Sequence, residues 1–220
     1  MSKLVAKKSL EWDYENGFYL TSDVSRIGKL VAHLELYKKI TSIPGDVMEF
    51  GVFKGASLIR WVSFRDLLEY PSSRSVVGFD IFGEFPQDVQ AEDDHSFIGM
   101  FEDICGDGIS KAELNDHLLT KGCSNYDLIE GDVMKTLPVY LDNNPALRIA
   151  LLHIDIDMYK PTLLILELLW SRIVKGGILV LDDYGVVEGE TVAVDQFFKD
   201  NSVDFKKLKY HHTPTYIVMK

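Results

Sequence analysis

Hydrophobic and polar positions follow two different periods along this chain. Short apolar runs that fit buried strands, DVMEFGV at 46–52, SVVGFDIF at 75–82 and RIALLHID at 148–155, are separated by longer stretches with helical spacing. The runs are apolar on both faces, which favours a parallel sheet covered by helices on both sides. YDLIEG at 126–131 and GGILVLDD at 176–183 predict two more strands of this kind.

Residues 22–42 predict the first helix, because their apolar positions lie three and four residues apart. We expect Thr21 or Ser22 to cap this helix and Pro44–Gly45 to end it. Further helices are predicted over 57–70, 109–122, 133–144, 161–174 and 191–201. Pro161 lies near the start of its helix, where the missing N–H costs nothing.

The last two apolar segments, 205–212 and 215–220, are joined by a link too short for a parallel crossover. They must therefore form an antiparallel pair. The expected fold is α/β, with a mostly parallel seven-stranded sheet in the order 3-2-1-4-5, an antiparallel C-terminal strand and helices on both faces. This layout resembles the Rossmann-like fold of class I methyltransferases. We expect one globular unit, with residues 1–42 as an N-terminal lid or helical extension and 43–220 as the main domain.

Composition narrows the function classes. The 220 residues carry a net charge of −11, which argues against nonspecific nucleic-acid binding. Cys105 and Cys123 fit neither a zinc motif nor a disulfide framework, no apolar run is long enough to span a bilayer, and no signal peptide is evident. We expect a cytoplasmic protein without membrane contact. The acidic stretch 83–107 interrupts the alternation and is predicted to be a mobile lid, in which His95 is open to a substrate role.

A glycine-containing turn follows the first strand and predicts a ligand site at its carboxyl end. Gly51 permits an unusual turn, Gly55 a close approach of the next helix to a ligand, and Ser57 opens that helix. Phe53 fills the place of the middle glycine of a dinucleotide fingerprint, which is absent. A strand-to-helix turn needs glycines for its own geometry as well, so this stretch alone is weak evidence.

Two further strand ends strengthen the case for a bound nucleoside. Asp80 ends the second strand, where a carboxylate can hold both ribose hydroxyls, and EGD at 130–132 ends the third, where it can border an adenine. We expect no basic residue other than Lys54 near these strand ends. A site with so little positive charge favours a nucleoside with a neutral or cationic tail over a pyrophosphate.

Pairs of carboxylates end the fourth and fifth strands. Asp155 and Asp157 follow one apolar run, and Asp182 and Asp183 follow the next. Side-chain alternation along a strand puts Asp155 and Asp157 on the same side, and hard oxygen ligands clustered in this way suit Mg²⁺ or a similar divalent cation. Capping of the following helices explains one aspartate per strand end, but not two. Either Asp155 or Asp157 can serve as general base, and the sequence does not choose between them.

Five motifs in register resemble the macrocin O-methyltransferase family: EFGVFKGAS, VVGFDIFGEFP, EGDVMKTLP, LHIDIDMYKPT and GGILVLDDYG. The resemblance covers roughly residues 43–195. It implies an enzyme that uses S-adenosylmethionine and a divalent metal ion to methylate hydroxyls of deoxysugars or nucleotide-linked sugars. Residues 43–220 would then form the cofactor-binding methyltransferase domain.

The resemblance also implies residue roles. The cofactor-binding residues are Glu49, Gly51, Phe53, Gly55, Ser57, Asp80, Gly131, Asp132 and Asp155. The metal ligands are Asp155, Asp182 and Asp183, and Asp155 is also the proposed base. Asp157, placed beside Asp155 by the sequence pattern, is the second candidate catalytic residue.

Alternatives to a sugar acceptor stay open. One is the same chemistry on a phenol or catechol, a second is a nicotinamide-dependent dehydrogenase, and a third is a non-catalytic cofactor-binding module. We expect a small-molecule partner, no nucleic acid, and a homo-oligomer. His153 is predicted to be a packed core residue. The aromatic leader, formed by Trp12, Tyr14, Phe18 and Tyr19, would close over the substrate or dock on another subunit.

Overall fold

The computed structural model describes residues 7–83 and 108–220. Within them, seven strands alternate with α-helices. The strands are β1 (Asp46–Phe50), β2 (Val76–Asp80), β3 (Tyr126–Glu130), β4 (Ile149–Ile154), β5 (Ile173–Leu181), β6 (Lys206–Lys207) and β7 (Thr215–Val218). The α-helices are α1 (Glu11–Thr21), α2 (Val24–Ile40), α3 (Ala56–Leu68), α4 (Lys111–Thr120), α5 (Val133–Asn143), α6 (Tyr159–Leu169) and α7 (Glu188–Phe198).

The strands form one sheet in the order β3-β2-β1-β4-β5-β7-β6. The first five are parallel to one another, while β7 runs antiparallel to both β5 and β6. The predicted fold class and strand order are therefore confirmed. The order in which strands are added to the sheet reverses at β1, since β2 and β3 lie on one side of it and β4 and β5 on the other, so the carboxyl ends of β1 and β4 flank a crevice that suits ligand binding.

Two apolar cores cover the two faces of the sheet. Helices α2, α3 and α4 pack on one face, where Val47 of β1 lies among their side chains. Helices α5, α6 and α7 pack on the other face, where the next residue, Met48, points. Because successive side chains of a strand point to opposite faces, each strand contributes to both cores, and this explains why these strands are apolar on both sides.

Several element boundaries differ from the sequence expectation by a few residues, and the strand predicted over 205–212 shortens to Lys206–Lys207. Helix α2 is capped by Asp23, whose side chain accepts the Ser25 N–H, because α1 extends to Thr21 and Ser22 is extended backbone that ends it. The helix predicted over 161–174 extends too far toward the C-terminus. Its α-helical part stops at Leu169, and Ile173 already begins β5.

The N-terminal segment has two parts with different packing. Helix α2 buries one face in the core, including Leu36 and Tyr37, whereas α1 has no buried residue and leaves Trp12 71% and Tyr19 59% exposed. The lid predicted at 83–107, with His95, lies outside the described residues except for its first residue. None of the described helices is long and apolar enough to cross a membrane.

Candidate active site

A cavity of about 760 Å³ lies at the carboxyl ends of β1, β2, β4 and β5. Most of the sequence-predicted site residues line it, namely Gly51, Phe53, Ser57, Asp80, Gly131, Asp132, Asp155, Asp157, Asp182 and Asp183. Glu49 and Gly55 do not. Glu49 is fully buried beneath the cavity floor, where it contacts His153.

Contacts within the protein explain the two glycines of the first turn. Gly51 has φ of +91°, and a Cβ there would lie 1.7 Å from the carbonyl oxygen of Asp155. Gly55, the N-cap of α3, has φ of +82°, and its Cβ would meet a Leu114 methyl group at 2.8 Å. The close approach expected at Gly55 is therefore to a neighbouring helix, and Gly51 is required because β1 and the segment after β4 nearly touch.

Asp80 organises the same turn. One of its carboxylate oxygens accepts the backbone N–H groups of Val52 and Phe53 at 2.7 and 2.8 Å, and the other accepts that of Phe82 at 2.7 Å. Three charge-assisted hydrogen bonds fix this carboxylate at the cavity wall. Asp132 likewise combines two roles, since it caps α5 through the Met134 N–H and faces the cavity.

Asp155, Asp157 and Asp183 converge. Each offers a carboxylate oxygen, and these three oxygens lie within 4.8 Å of one another. Strand β4 ends at Ile154, so strand alternation does not align the first two. A turn in which Asp157 adopts φ of +64° brings them together instead. We call these three residues the aspartate trio.

Crowding of like charges shows in the acidity of the trio. Burial and the neighbouring charge of Asp183 raise the pKa of Asp157 to about 8. Burial and the charge of Asp182 raise the pKa of both Asp155 and Asp183. A divalent cation offsets repulsion of this kind, and carboxylate oxygens are the ligands that Mg²⁺ prefers.

Asp182 belongs to a different group. It is buried, forms an ion pair with Lys29 of α2, and lies 3.5 Å from His153 Nε2 and 3.9 Å from His33 Nε2. Although its burial acts to raise the pKa of Asp182, the hydrogen-bond contact with His153, the nearby His33 ring and the charge of Lys29 hold it well below the usual value. Asp182 thus has its counter-charges within the protein.

His153 is buried, as predicted, and it does more than fill space. Burial disfavours its charge, yet hydrogen bonds to Asp182 and Glu49 raise the pKa of His153 to about 9. His153 Nδ1 lies 3.2 Å from Glu49 Oε1 and 3.3 Å from the indole nitrogen of Trp61, and its Nε2 lies 3.5 Å from Asp182 Oδ1. A series of polar contacts therefore runs from Glu49 through His153 and Asp182 to Lys29, and it links α2 to strands β1 and β4.

Sequence reasoning missed several charged residues of the site. Arg26 and Lys29 of α2 and Arg60 of α3 line the cavity. The prediction that Lys54 is the only basic residue near the site is therefore wrong. Glu190 was also missed. It is buried and accepts the Asp183 N–H at 3.2 Å. The spacing of three residues between Arg26 and Lys29, which puts both on one helix face, was the available signal.

In a chelating buffer, we expect the melting temperature to fall as the pH rises from about 5 to about 8. Folding raises the pKa of Asp157 from 3.8 to about 8, so in this window the folded state holds a proton that the unfolded state has released. Stability falls with pH wherever the folded state binds more protons. The raised pKa values of Asp155, Asp183 and His153 act in the same direction. They outnumber an opposing group, His33, whose pKa is lowered by burial to about 4 and which acts against them below about pH 6.5.

Differential scanning fluorimetry across this range measures the slope, and the Asp157→Asn variant is its control. We expect a shallower slope for the variant, and a shallower slope for the wild type when magnesium is added. Equal slopes for both proteins in chelator would contradict the assignment of the coupled titration to the trio.

Comparison with known proteins agrees with the fold and the motifs. A family model, macrocin O-methyltransferase (TylF), matches residues 24–216. The chain is 28% identical over 161 residues to mycinamicin III 3''-O-methyltransferase of Micromonospora griseorubida, covering 64% of this chain and 56% of that protein. It is 28% identical over 153 residues to 8-demethyl-8-(2,3-dimethoxy-alpha-L-rhamnosyl)-tetracenomycin-C 4'-O-methyltransferase of Streptomyces olivaceus, covering 66% and 54%. The chain thus spans about half the length of these curated relatives.

Among solved structures, the apo form of CalS11, described as a TDP-rhamnose 3'-O-methyltransferase of calicheamicin biosynthesis, superposes with a TM-score of 0.72. The identity is 26%, and the match covers 99% of this chain and 88% of CalS11. The family model spans nearly the whole chain, including all five sequence motifs and the aspartate trio. The chain therefore belongs to the macrocin O-methyltransferase family.

Proposed function

We propose that this protein transfers the methyl group of S-adenosylmethionine to a hydroxyl of a deoxysugar or nucleotide-linked sugar, with the help of Mg²⁺ or a similar divalent cation. One observation carries the proposal: a single cavity joins the nucleoside-type wall at Asp80 and Asp132 to the aspartate trio. A methyl donor and an activated acceptor must meet in one such enclosed space.

The cavity wall fits the methyl donor. The Asp80 carboxylate is held by backbone N–H groups and faces the cavity, so its remaining lone pairs suit the two ribose hydroxyls. Gly131 and Asp132, at the end of β3, border the place for the adenine. The backbone of the β1 turn and Ser57, near the start of α3, line the part next to the trio, where the methionine portion belongs. The cavity volume lies in the usual range for small-molecule sites.

The trio fits a divalent cation, because three hard oxygen donors with raised pKa values lie together. When bound, such a cation polarises the acceptor hydroxyl and lowers its pKa. Asp155 and Asp183 are the ligands common to this cluster and to the family pattern. Asp182, the third ligand that the family implies, is engaged by Lys29, so it joins the site only when Lys29 moves away.

Asp157 is the residue that we assign as the general base. It lies two residues past Asp155, on the turn that follows β4, and it lines the cavity. The acceptor hydroxyl must lose its proton as its oxygen bonds to the methyl carbon, and an ionised carboxylate beside that hydroxyl is a suitable proton acceptor. Asp155 and Asp183 would hold the cation, and the cation would position the acceptor oxygen.

The relatives support the choice of acceptor. One curated relative is named for 4'-O-methylation of a rhamnosyl-tetracenomycin, another for 3''-O-methylation of mycinamicin III, and CalS11 is described as a TDP-rhamnose 3'-O-methyltransferase. These names concern those proteins. Together with the shared family and the acidic site, they favour a sugar hydroxyl over a phenol for this chain.

An acceptor panel tests the proposal. We expect S-adenosylhomocysteine to form with TDP-rhamnose or a rhamnoside when magnesium is present, and its formation to fall to background in chelator, as measured by mass spectrometry. Catechol is the competing acceptor. Methylation of catechol alone would favour the phenol alternative, and thermal stabilisation by NAD but not by S-adenosylhomocysteine would favour the dehydrogenase.

A further inference from the structure

Two arginines on adjacent helices line the cavity and have no carboxylate partner among the residues that the structure describes. Arg26 projects from α2 and Arg60 from α3, and both line the cavity. Arg60 is partly buried. Among residues 7–83 and 108–220, neither guanidinium has a carboxylate oxygen within 4.0 Å. Since the chain carries 34 acidic residues against 23 lysines and arginines, a shortage of acids does not explain this.

Other buried arginines in the protein are fully engaged. Arg65 donates to the backbone carbonyls of Ser124 and Asn125 at 2.5 and 2.6 Å. Arg74 donates to Glu69 and to the backbone carbonyls of Ile40, Ile43 and Gly45. A buried guanidinium normally needs such acceptors. Arg60 differs from both because its acceptors are not supplied by the described residues.

The side of the cavity formed by α2 and α3 also carries more positive than negative charge. Lys29 is neutralised by Asp182, which leaves Arg26 and Arg60 as the surplus cations of α2 and α3 at the cavity. Burial and the nearby positive charge of Arg26 lower the pKa of Arg60. The charges of Asp182 and Glu49 act to raise this pKa but do not cancel the effect. A bound anion would relieve both the repulsion and the loss of solvation.

We propose that Arg26 and Arg60 form an anion-binding subsite for a carboxylate or phosphate group carried by one of the two reactants. Guanidinium groups suit both anions, because their paired N–H donors match two oxygens of either one. The identity of the reactants rests on the proposed function. One source is the carboxylate of the methyl donor, and the other is the diphosphate of a nucleotide-linked acceptor.

Binding measurements with matched probes test the subsite. The variants are Arg60→Gln and Arg26→Gln, and the control is Lys111→Gln, which removes one positive charge from an exposed position outside the cavity. S-adenosylhomocysteine is paired with 5'-methylthioadenosine, which lacks the carboxylate, and thymidine diphosphate is paired with thymidine. Isothermal titration calorimetry gives the dissociation constants, and circular dichroism checks folding.

We expect at least one charged probe to bind about tenfold or more weakly to Arg60→Gln than to the control, while its uncharged counterpart changes less than about threefold. A loss for S-adenosylhomocysteine identifies the donor carboxylate as the occupant, and a loss for thymidine diphosphate identifies the acceptor phosphate. Arg26→Gln, at an exposed position, gives the same answer if Arg60→Gln does not fold.

Unchanged affinities for both charged probes in both arginine variants would overturn the subsite. If the wild type binds S-adenosylhomocysteine in that case, the proposed function stands and only the subsite fails. If the wild type binds none of the four probes, both the subsite and the proposed function are rejected.

Discussion

Asp157→Asn is expected to lower kcat by about 10²- to 10⁴-fold, the usual contribution of a general base. The amide keeps the shape of the side chain but cannot take the acceptor proton. Asparagine also tolerates the left-handed backbone, φ of +64°, at this position, so the turn after β4 should keep its form. Steady-state kinetics with saturating S-adenosylmethionine and magnesium measures the loss.

The binding and stability of this variant separate chemistry from folding. We expect the affinity for S-adenosylhomocysteine to change less than about threefold, because Asp80 and Asp132 lie on other strands' ends. The melting temperature in chelator at about pH 8 should rise, since one member of a repelling cluster has lost its charge. Asp116→Asn, an exposed change on α4, is the control. A variant that keeps near-wild-type kcat would remove Asp157 from the role of base.

Gly51→Ala is expected to destabilise the protein by more than about 4 kcal/mol, beyond the usual range for single substitutions. The added Cβ would lie 1.7 Å from the Asp155 carbonyl oxygen, and the backbone has φ of +91°. The atom in its way is main chain, which cannot swing aside like a flexible side chain. Relief requires the end of β1 to separate from the segment after β4, where their backbone hydrogen bond joins Phe50 and Asp155.

Urea denaturation followed by circular dichroism measures this effect, and Gly17→Ala is the matched control. Gly17 lies in α1, and a Cβ there meets nothing within 4 Å. Alanine is favoured over glycine in a helix by about 1 kcal/mol, so this control should be neutral or slightly stabilising. A Gly51→Ala midpoint close to that of the wild type would mean that β1 and the segment after β4 are further apart than the structure has them.

The sequence alone was sufficient for the architecture. Apolar runs such as 148–155 are local features whose length and two-sided hydrophobicity require burial in a parallel sheet. The short link before 215–220 leaves no room for a crossover, so the antiparallel strand follows from chain length. Carboxylates at the strand ends were equally visible, because parallel strands bring their carboxyl ends to one edge.

Only the tertiary structure shows that the strand-end carboxylates form two groups, the aspartate trio and Asp182 with its partner Lys29. Asp182 and Lys29 are 153 residues apart, and no periodicity links them. Their ion pair forms because α2 packs on the sheet face that carries His153. Asp157 joins Asp155 through a turn with positive φ, which a strand pattern does not predict.

The basic wall of the cavity has the same origin. Arg26 and Arg60 belong to helices that meet only when both pack against the sheet, so their shared cavity is a product of packing. Gly51 is a second example of a contact that depends on packing. It lies against the carbonyl oxygen of Asp155, which is about 100 residues away in the sequence. Patterns that repeat along the chain determine which elements form. The ion pairs and charged surfaces that form between elements far apart in sequence depend on how the fold packs.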